Sequence, residues 1–275
     1  MSILEATNHT TTNSERGQVN TDAAEVYEAF FVPALFQEWA ERIVIEAQLQ
    51  PGQTVLDVAC GTGVLTRAIA ERVGDAGQAI GLDINEGMLA VAEQKASHIQ
   101  WHRGAAESLP FENNRFDAVV SQFGLMFFED RQTALQEMMR VLQPGGQLAV
   151  AVWDTVENTP GYAKMIALLQ QLFGQEAANG LRAPYNLGDI SLLKSIFDGA
   201  GIVDISIITL EGTARFPSID DWVYTDIKGW TLANMIDDGQ FELLLAEANK
   251  TLRSFVQPDG TVAFKAPAHI VTKIK

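Results

Sequence analysis

Apolar residues follow two periods along this chain. Over residues 22–50, Val26, Phe30, Leu35, Trp39, Ile43 and Leu49 recur at helical spacing, interrupted at Pro33, which predicts two short helices. Pro51-Gly52 turns the chain into TVLDVA, a β-rich run of strand length. VLTRAIAERVG then carries Leu65, Ile69 and Val73 with Arg and Glu between, and Gly74 stops that helix. QAIGLDI and EGMLAVAEQKA repeat the strand–helix pair, and IQWHRG adds a third strand before the loop GAAESLPFENN. FDAVVSQ is apolar enough to be buried on both faces, as a parallel strand is. RQTALQEMMRVL is a helix with Leu135, Met138, Met139 and Leu142 on one stripe, and PGG turns into a fifth strand, QLAVAVWD. Strands alternating with helices at this spacing predict an α/β fold with a parallel sheet covered on both faces.

The rhythm breaks after residue 154. Residues 155–190 read as a helix around Ala163–Phe173 followed by a Gly/Pro-containing loop, SLLKSIFDGAG as a helix, and VDISIITLEGTARF as one strand. Residues 217–257 are largely helical and carry Trp222, Tyr224, Trp230 and Phe241. The chain closes on TVAFKAPAHIVTKIK, extended, with Pro267 at a strand start. The expectation is a polar, disordered tail over 1–20 and a single domain over 21–275. In it, 21–50 form an N-terminal helical cover, and 155–190 and 217–257 form helical lid insertions.

Charge narrows the partners. Lys and Arg number 19 against 35 Asp and Glu, a formal net charge of −16, with no Lys/Arg cluster. Such a surface repels phosphate backbones and anionic lipids, so neither nucleic acid nor a membrane is expected as a partner. No stretch nears the ~18 apolar residues of a membrane span, and the N-terminus lacks the basic start and apolar core of a signal peptide. A single cysteine, Cys60, excludes an internal disulfide and fits a reducing, cytoplasmic setting. Lying in a glycine loop with no His or Asn arranged in sequence to activate it, Cys60 reads as a small apolar loop residue.

The candidate chemistry begins at Ala59-Cys60-Gly61-Thr62-Gly63, which follows a strand, opens a helix and has Asp57 just before it. Glycines there let backbone approach a ligand, and a helix N-terminus offers unpaired N–H groups. Asp83 ends the next strand, where a carboxylate can accept hydrogen bonds from both ribose hydroxyls of a nucleoside. It is equally able to cap the following helix, as is Asn85. The dinucleotide fingerprint wants a third glycine where this chain has Thr66, and Asp57 would oppose a pyrophosphate. A carboxylate before the loop suits a cation instead. S-adenosylmethionine, with an ammonium, a sulfonium and no phosphate, meets that requirement.

VLDVACGTGVLT, GLDINEGMLAVAE, GAAESLPFENNRFDAVVSQFGLMFF and MMRVLQPGGQLAVAVW together resemble the ordered motifs of class I S-adenosylmethionine-dependent methyltransferases. The likeness is to the small-molecule group that includes ubiquinone/menaquinone-biosynthesis enzymes, and it is specific over residues 40–155. It implies a Rossmann-like three-layer sandwich whose seven-stranded, mostly parallel sheet ends in an antiparallel strand, supplied here by HIVTKIK, plus a helical lid. It also implies roles. Ala59, Gly61 and Gly63 would line the methionine moiety, with Asp57 near its ammonium. Asp83 would take the ribose, Ile84 and Met88 would pack on the adenine, and Ala106 and Glu107 would meet its edge. Gln122 and Phe123 would close the site beside the methionine. Ala59 departs from the glycine usual there. Tyr27 and Phe31, in the N-terminal segment, would fold over the cofactor or serve as core aromatics.

The implied activity is methyl transfer to a small or medium organic acceptor at O, C or N. A binding module without turnover and an NAD-dependent oxidoreductase are the alternatives. The stretch SQFGLMFF, in place of an Asn-Pro-Pro-Tyr type motif, favours an organic acceptor. No catalytic base is assigned among His9, His98, His102 and His269, and no metal is expected. Trp222, Tyr224 and Trp230 would either wall off the acceptor or glue the lid to the sheet.

Overall fold

The computed structural model describes residues 21–228, 232 and 235–275, so the expected tail 1–20, His9 and Trp230 lie outside the described residues. The chain opens with α1 (Thr21–Val26), a π-helical stretch (Tyr27–Phe36) and α2 (Gln37–Glu46). Pro33 therefore does not divide two helices, as the sequence suggested. In an α-helix its ring would clash with the carbonyl four residues back; in the wider π pitch the ladder bonds reach back five, as the Gln37 N–H does to Val32 O. The helix continues past the proline.

Next come β1 (Thr54–Val58), α3 (Val64–Val73), β2 (Gln78–Asp83), α4 (Glu86–Lys95), β3 (Gln100–Arg103), β4 (Phe116–Gln122), α5 (Arg131–Val141) and β5 (Leu142–Trp153). The PGG segment bulges β5 rather than preceding it: Leu142 faces Phe116, but Ala118 faces Gln147. Beyond lie α6 (Pro160–Phe173), α7 (Gln175–Arg182), α8 (Ile190–Gly199), β6 (Ser206–Leu210), β7 (Thr213–Phe216), α9 (Ile219–Lys228), α10 (Asp238–Thr251), β8 (Val262–Lys265) and β9 (Ala268–Ile274). The segment read as a loop after Phe173 is largely helical, as α7 buries Ala177, Ala178 and Leu181.

Seven strands form one sheet in the order β3-β2-β1-β4-β5-β9-β6, and β7 and β8 form a separate ribbon. β1–β5 are parallel, while β9 runs antiparallel to both β5 and β6. The expected antiparallel last strand is thus present, inserted inside the sheet. The segment read as one strand, VDISIITLEGTARF, is two strands in different sheets. Its break is at Gly212, whose backbone passes so close to Ala266 O and the Trp39 ring that a Cβ would sit 2.5 Å from each. Order reverses at the β1/β4 pair, and ligands of open α/β sheets lie outside the strand ends at such a switch.

The helices after β5 pack on an aromatic knot. Trp222 is fully buried, with its ring 4.6 Å from Phe264, 5.6 Å from Phe216 and 5.9 Å from Tyr162. It is packing that joins α9, α6 and the β7–β8 ribbon, whereas Tyr224 is partly exposed and meets Phe30 edge-on at 5.8 Å. No helix among the described residues is long and apolar enough to cross a membrane. Replacing a buried aromatic with alanine costs ~3–5 kcal/mol, so Trp222→Ala should lower the melting temperature by many degrees. An unchanged thermal midpoint by circular dichroism would refute this role.

Candidate functional site

The loop after β1 is held from two sides. Asp57, buried on β1, accepts a 2.7 Å hydrogen bond at Oδ2 from Thr66 Oγ1. Asp83, at the end of β2, accepts from Gly61 N at Oδ2 and from Asn85 N at Oδ1, both at 2.8 Å. Asp83 is not a helix cap; Asn85 is, through Oδ1 to the Gly87 and Met88 N–H groups. The loop then needs left-handed backbone at Ala59 (φ 60°), Gly61 (φ 55°) and Gly63 (φ 85°). For Ala59 that conformation is strained by about 1 kcal/mol. A Cβ at Gly63 would lie 2.3 Å from the Trp101 ring, so Gly63 is where the helix start packs onto β3.

A cavity of ≈200 Å³ opens over the strand ends. Tyr27, Ala59, Gly61, Asp83, Ile84, Met88, Ala106, Glu107, Gln122 and Phe123 all line it, together with Asn85, Ala105, Gly124, Phe127, Phe128 and Glu129. A small recess beside it is lined by Asp57, Cys60, Thr62 and Leu65, sharing Tyr27, Ala59, Gly61 and Gln122 with the main cavity. Of the residues named from sequence, Gly63 lines neither space, and Phe31 lines a different one.

The recess is rich in unfilled acceptors. Asp57 Oδ1 and Gln122 Oε1 are buried and have no hydrogen-bond partner among the described residues, while Gln122 Nε2 donates to Phe36 O at 3.2 Å. Two inward-facing acceptors without donors call for a ligand that brings N–H groups. Burial pushes the Asp57 carboxyl up to about 7; the Thr66 hydroxyl opposes the shift and the neighbouring Asp83 charge adds to it. Burial likewise pushes the Cys60 thiol up, so the loop cysteine stays protonated. Among the described residues no cluster of three His, Cys, Asp or Glu is placed to hold a metal.

A second, narrow cavity adjoins the first. Tyr27, Phe123 and Phe127 face both; Phe31, Leu35, Phe36, Trp153, Tyr162, Leu181, Pro184 and Tyr185 complete it. Among the described residues no charged side chain lines it. Phe123 stacks flat on Trp153 at 3.8 Å, with the Tyr27 ring 5.1 Å from Phe36, and Phe36 5.7 Å from Phe123. The N-terminal segment reaches this wall because Glu28 pairs with Arg67 of α3 at 3.0 Å and Lys95 of α4 at 4.0 Å. Trp153, Tyr162 and Tyr185 escaped the sequence reading, since aromatics at helix starts and strand ends look like ordinary core. The one available signal was FGLMFF after β4, which supplies Phe123, Phe127 and Phe128.

His102 packs edge-on against Phe111 at 5.3 Å. His269 bonds Thr209 Oγ1 at 2.8 Å and Gly188 O at 2.9 Å, and lies 3.3 Å from Asp154. Neither histidine lines a cavity described above. A protonated, buried thiol is unreactive, so Cys60 should resist iodoacetamide in the native protein and react once unfolded. Rapid native alkylation seen by mass spectrometry would contradict this.

Residues 28–172 match the model of the ubiE/COQ5 methyltransferase family. The demethylmenaquinone methyltransferase of Staphylococcus carnosus is 36% identical over 188 residues, covering 63% of this chain and 78% of that protein. Its counterpart from Staphylococcus aureus is 32% identical over the same shares. Among solved structures, the YcgJ protein from Bacillus subtilis superimposes with a TM-score of 0.57 at 18% identity, covering 86% of this chain and 98% of that one. Phosphoethanolamine N-methyltransferase 2 from Haemonchus contortus, in complex with S-adenosyl-L-methionine, gives 0.61 at 18% identity, covering 97% of this chain and 60% of that one. These structural likenesses speak to the fold. The family match, which spans β1–β5 and the loops between them, and the relatives make this chain a member of the ubiE/COQ5 methyltransferase family.

Proposed function

We propose that this chain methylates an uncharged aromatic acceptor bearing ring hydroxyls, a reduced quinone being the class that fits, with S-adenosylmethionine as donor. The observation that carries the reading is the pair of unfilled acceptors, Asp57 Oδ1 and Gln122 Oε1, in a recess that opens beside an uncharged, aromatic-walled cavity. When bound, the donor supplies a sulfonium methyl whose leaving thioether needs no protonation. Asp57 and Gln122 would accept the N–H groups of its ammonium. Asp83 has a lone pair left on each oxygen for a ribose hydroxyl, and Ile84, Met88 and Ala106 would flank the adenine. Glu107 would meet its edge while bonding the Glu129 N–H at 3.0 Å.

Tyr27, Phe123 and Phe127 would form the partition across which the methyl moves, aligning the acceptor and excluding water. The relatives' name, demethylmenaquinone methyltransferase, agrees with a planar apolar acceptor. The unfilled carboxylate oxygen weighs against a dinucleotide.

Two measurements test this. Isothermal titration with S-adenosylhomocysteine should show affinity rising roughly tenfold per pH unit up to about pH 7, because only the ionised Asp57 attracts the ammonium and its pKa is near 7. Asp57→Asn should abolish that slope and weaken binding by roughly 10–100-fold at pH 8, the scale of a charged hydrogen bond. A wild-type affinity flat from pH 5 to pH 8 would sink the assignment. Incubation with S-adenosylmethionine should add one methyl mass to 1,4-dihydroxynaphthalene kept reduced, and not to a comparable aromatic sulfonate, which the uncharged cavity rejects.

A further inference from the structure

Behind the aromatic cavity lies a carboxyl that the cofactor site does not use. Asp226, on α9, is fully buried. Its Oδ1 accepts a hydrogen bond from Tyr162 Oη at 3.1 Å, and its Oδ2 has no partner among the described residues. The Trp222 indole N–H, one turn earlier on the same helix, faces this carboxyl in geometry too poor for a hydrogen bond, and Nε1 is likewise unpartnered. No cation pairs with Asp226 among the described residues; the titratable groups facing it are Tyr162 on α6 and Tyr185 on the short turn before α8. Tyr162 and Tyr185 both line the aromatic cavity, their rings 5.9 Å apart.

A carboxyl buried without a cation and with one oxygen unsatisfied is costly to fold around. As a structural element it would be better replaced by an amide or an apolar residue. Its one full bond is to a tyrosine hydroxyl on the wall of the space read above as the acceptor cavity. A phenolic acceptor needs what this arrangement offers, namely a route for its proton out of an apolar pocket that, among the described residues, holds no histidine, lysine or carboxylate of its own.

We propose that Asp226 is the terminal proton acceptor for a ring hydroxyl of the acceptor, acting through Tyr162. The proton of the acceptor O–H passes to Tyr162 Oη as the Tyr162 proton passes to Asp226 Oδ1. The phenolate electron pair, at oxygen or at a conjugated ring carbon, forms the bond to the methyl, and the C–S pair stays on sulfur as neutral thioether. If carbon is methylated, the ring proton then moves to the ring oxygen as the keto form tautomerises, which restores the aromatic ring and its hydroxyl. Tyr162 touches the acceptor; Asp226 positions and charges it. Burial pushes Asp226 well above the usual carboxylate range, with Tyr162 and Trp222 pulling against it, which brings its basicity closer to that of a phenol. The relay joins Tyr162, inside the matched family segment 28–172, to a residue beyond it.

The inference rests on the acceptor reading above, and its test separates the two. Asp226→Asn keeps an oxygen for Tyr162, and Tyr162→Phe removes only the hydroxyl. Both should bind S-adenosylhomocysteine as wild type does in calorimetry, showing an intact fold. With reduced 1,4-dihydroxynaphthalene, each should lose roughly 100-fold or more in kcat with KM within about threefold. The loss should shrink at least tenfold with a 6-cyano analogue, whose hydroxyl is more acidic. Wild-type kcat should rise with pH as Asp226 ionises, and Asp226→Asn should lose that limb. Equal losses for both acceptors, a loss confined to KM, or unchanged kcat in either folded variant would overturn the relay while leaving the acceptor reading standing. If wild type binds S-adenosylhomocysteine but methylates neither compound, the acceptor reading fails and takes the relay with it.

Discussion

The site depends on a carboxylate buried where it has only half its hydrogen bonds. Asp57 sits on β1 between two parallel neighbours, 1% exposed, with Thr66 filling one oxygen and no partner among the described residues for the other. The loop that follows is shaped around that fact. Thr66, one turn into α3, must face back toward β1, so the helix starts close to the strand; Asp83 fixes the other side through the Gly61 N–H. To meet these two anchors the chain turns through left-handed backbone at Gly61 and Gly63, and also at Ala59 just before them. Ala59 in turn requires glycine at position 124, where a Cβ would lie 2.6 Å from the Ala59 methyl. The loops after β1 and β4 are therefore matched to each other before any ligand arrives.

The second constraint is the aromatic partition. Tyr27 belongs to the N-terminal segment, Phe123 to the end of β4 and Phe127 to the turn after it, so the wall is assembled from parts far apart in sequence. Each part is held by a different interaction. Glu28 anchors the N-terminal piece to Arg67 and Lys95, and the face-to-face stack on Trp153 fixes Phe123, which itself adopts a positive φ of 56°. Backbone strain at Ala59 and Phe123, both on the cavity, is offset by packing that over-determines them.

What was legible in the sequence follows from what is local. Strands β1–β5 and their helices announce themselves by periodicity, and the positions flanking their C-terminal ends supplied most of the cavity lining: Ala59, Gly61, Asp83, Ile84, Met88, Ala106, Glu107, Gln122 and Phe123. Gly63 drew notice for its pattern, but its lack of a side chain serves the Trp101 ring rather than the cavity. Phe31 was read with Tyr27, yet the π-helical stretch places it on the second cavity alone. Pro33 misled because an isolated proline signals a break, and only a widened pitch lets the helix run on. The split at Gly212 and the pairing of β7 with β8 are non-local. Nothing in VDISIITLEGTARF records the Ala266 carbonyl that crosses it.

Thr66 shows how a correct inference can be incomplete. In the sequence it counted as a missing third glycine, evidence against a dinucleotide. In the structure it has a positive role: its hydroxyl donates to Asp57 Oδ2, and its backbone N–H also pulls against the effect of burial on that carboxyl. A glycine at 66 would remove the hydroxyl and leave only the backbone N–H to oppose burial, which would drive the group further toward its neutral form. With Thr66 present, the pKa is held to about 7, close enough to neutrality for an incoming ammonium to tip it to the ionised state. The same hydroxyl leaves one oxygen unfilled, so the remaining deficit is one that a cationic ligand can meet and a phosphate cannot. On the proposed reading, the selectivity for charge would reside in a threonine that lines neither the cavity nor its recess, one helical turn behind the glycine loop.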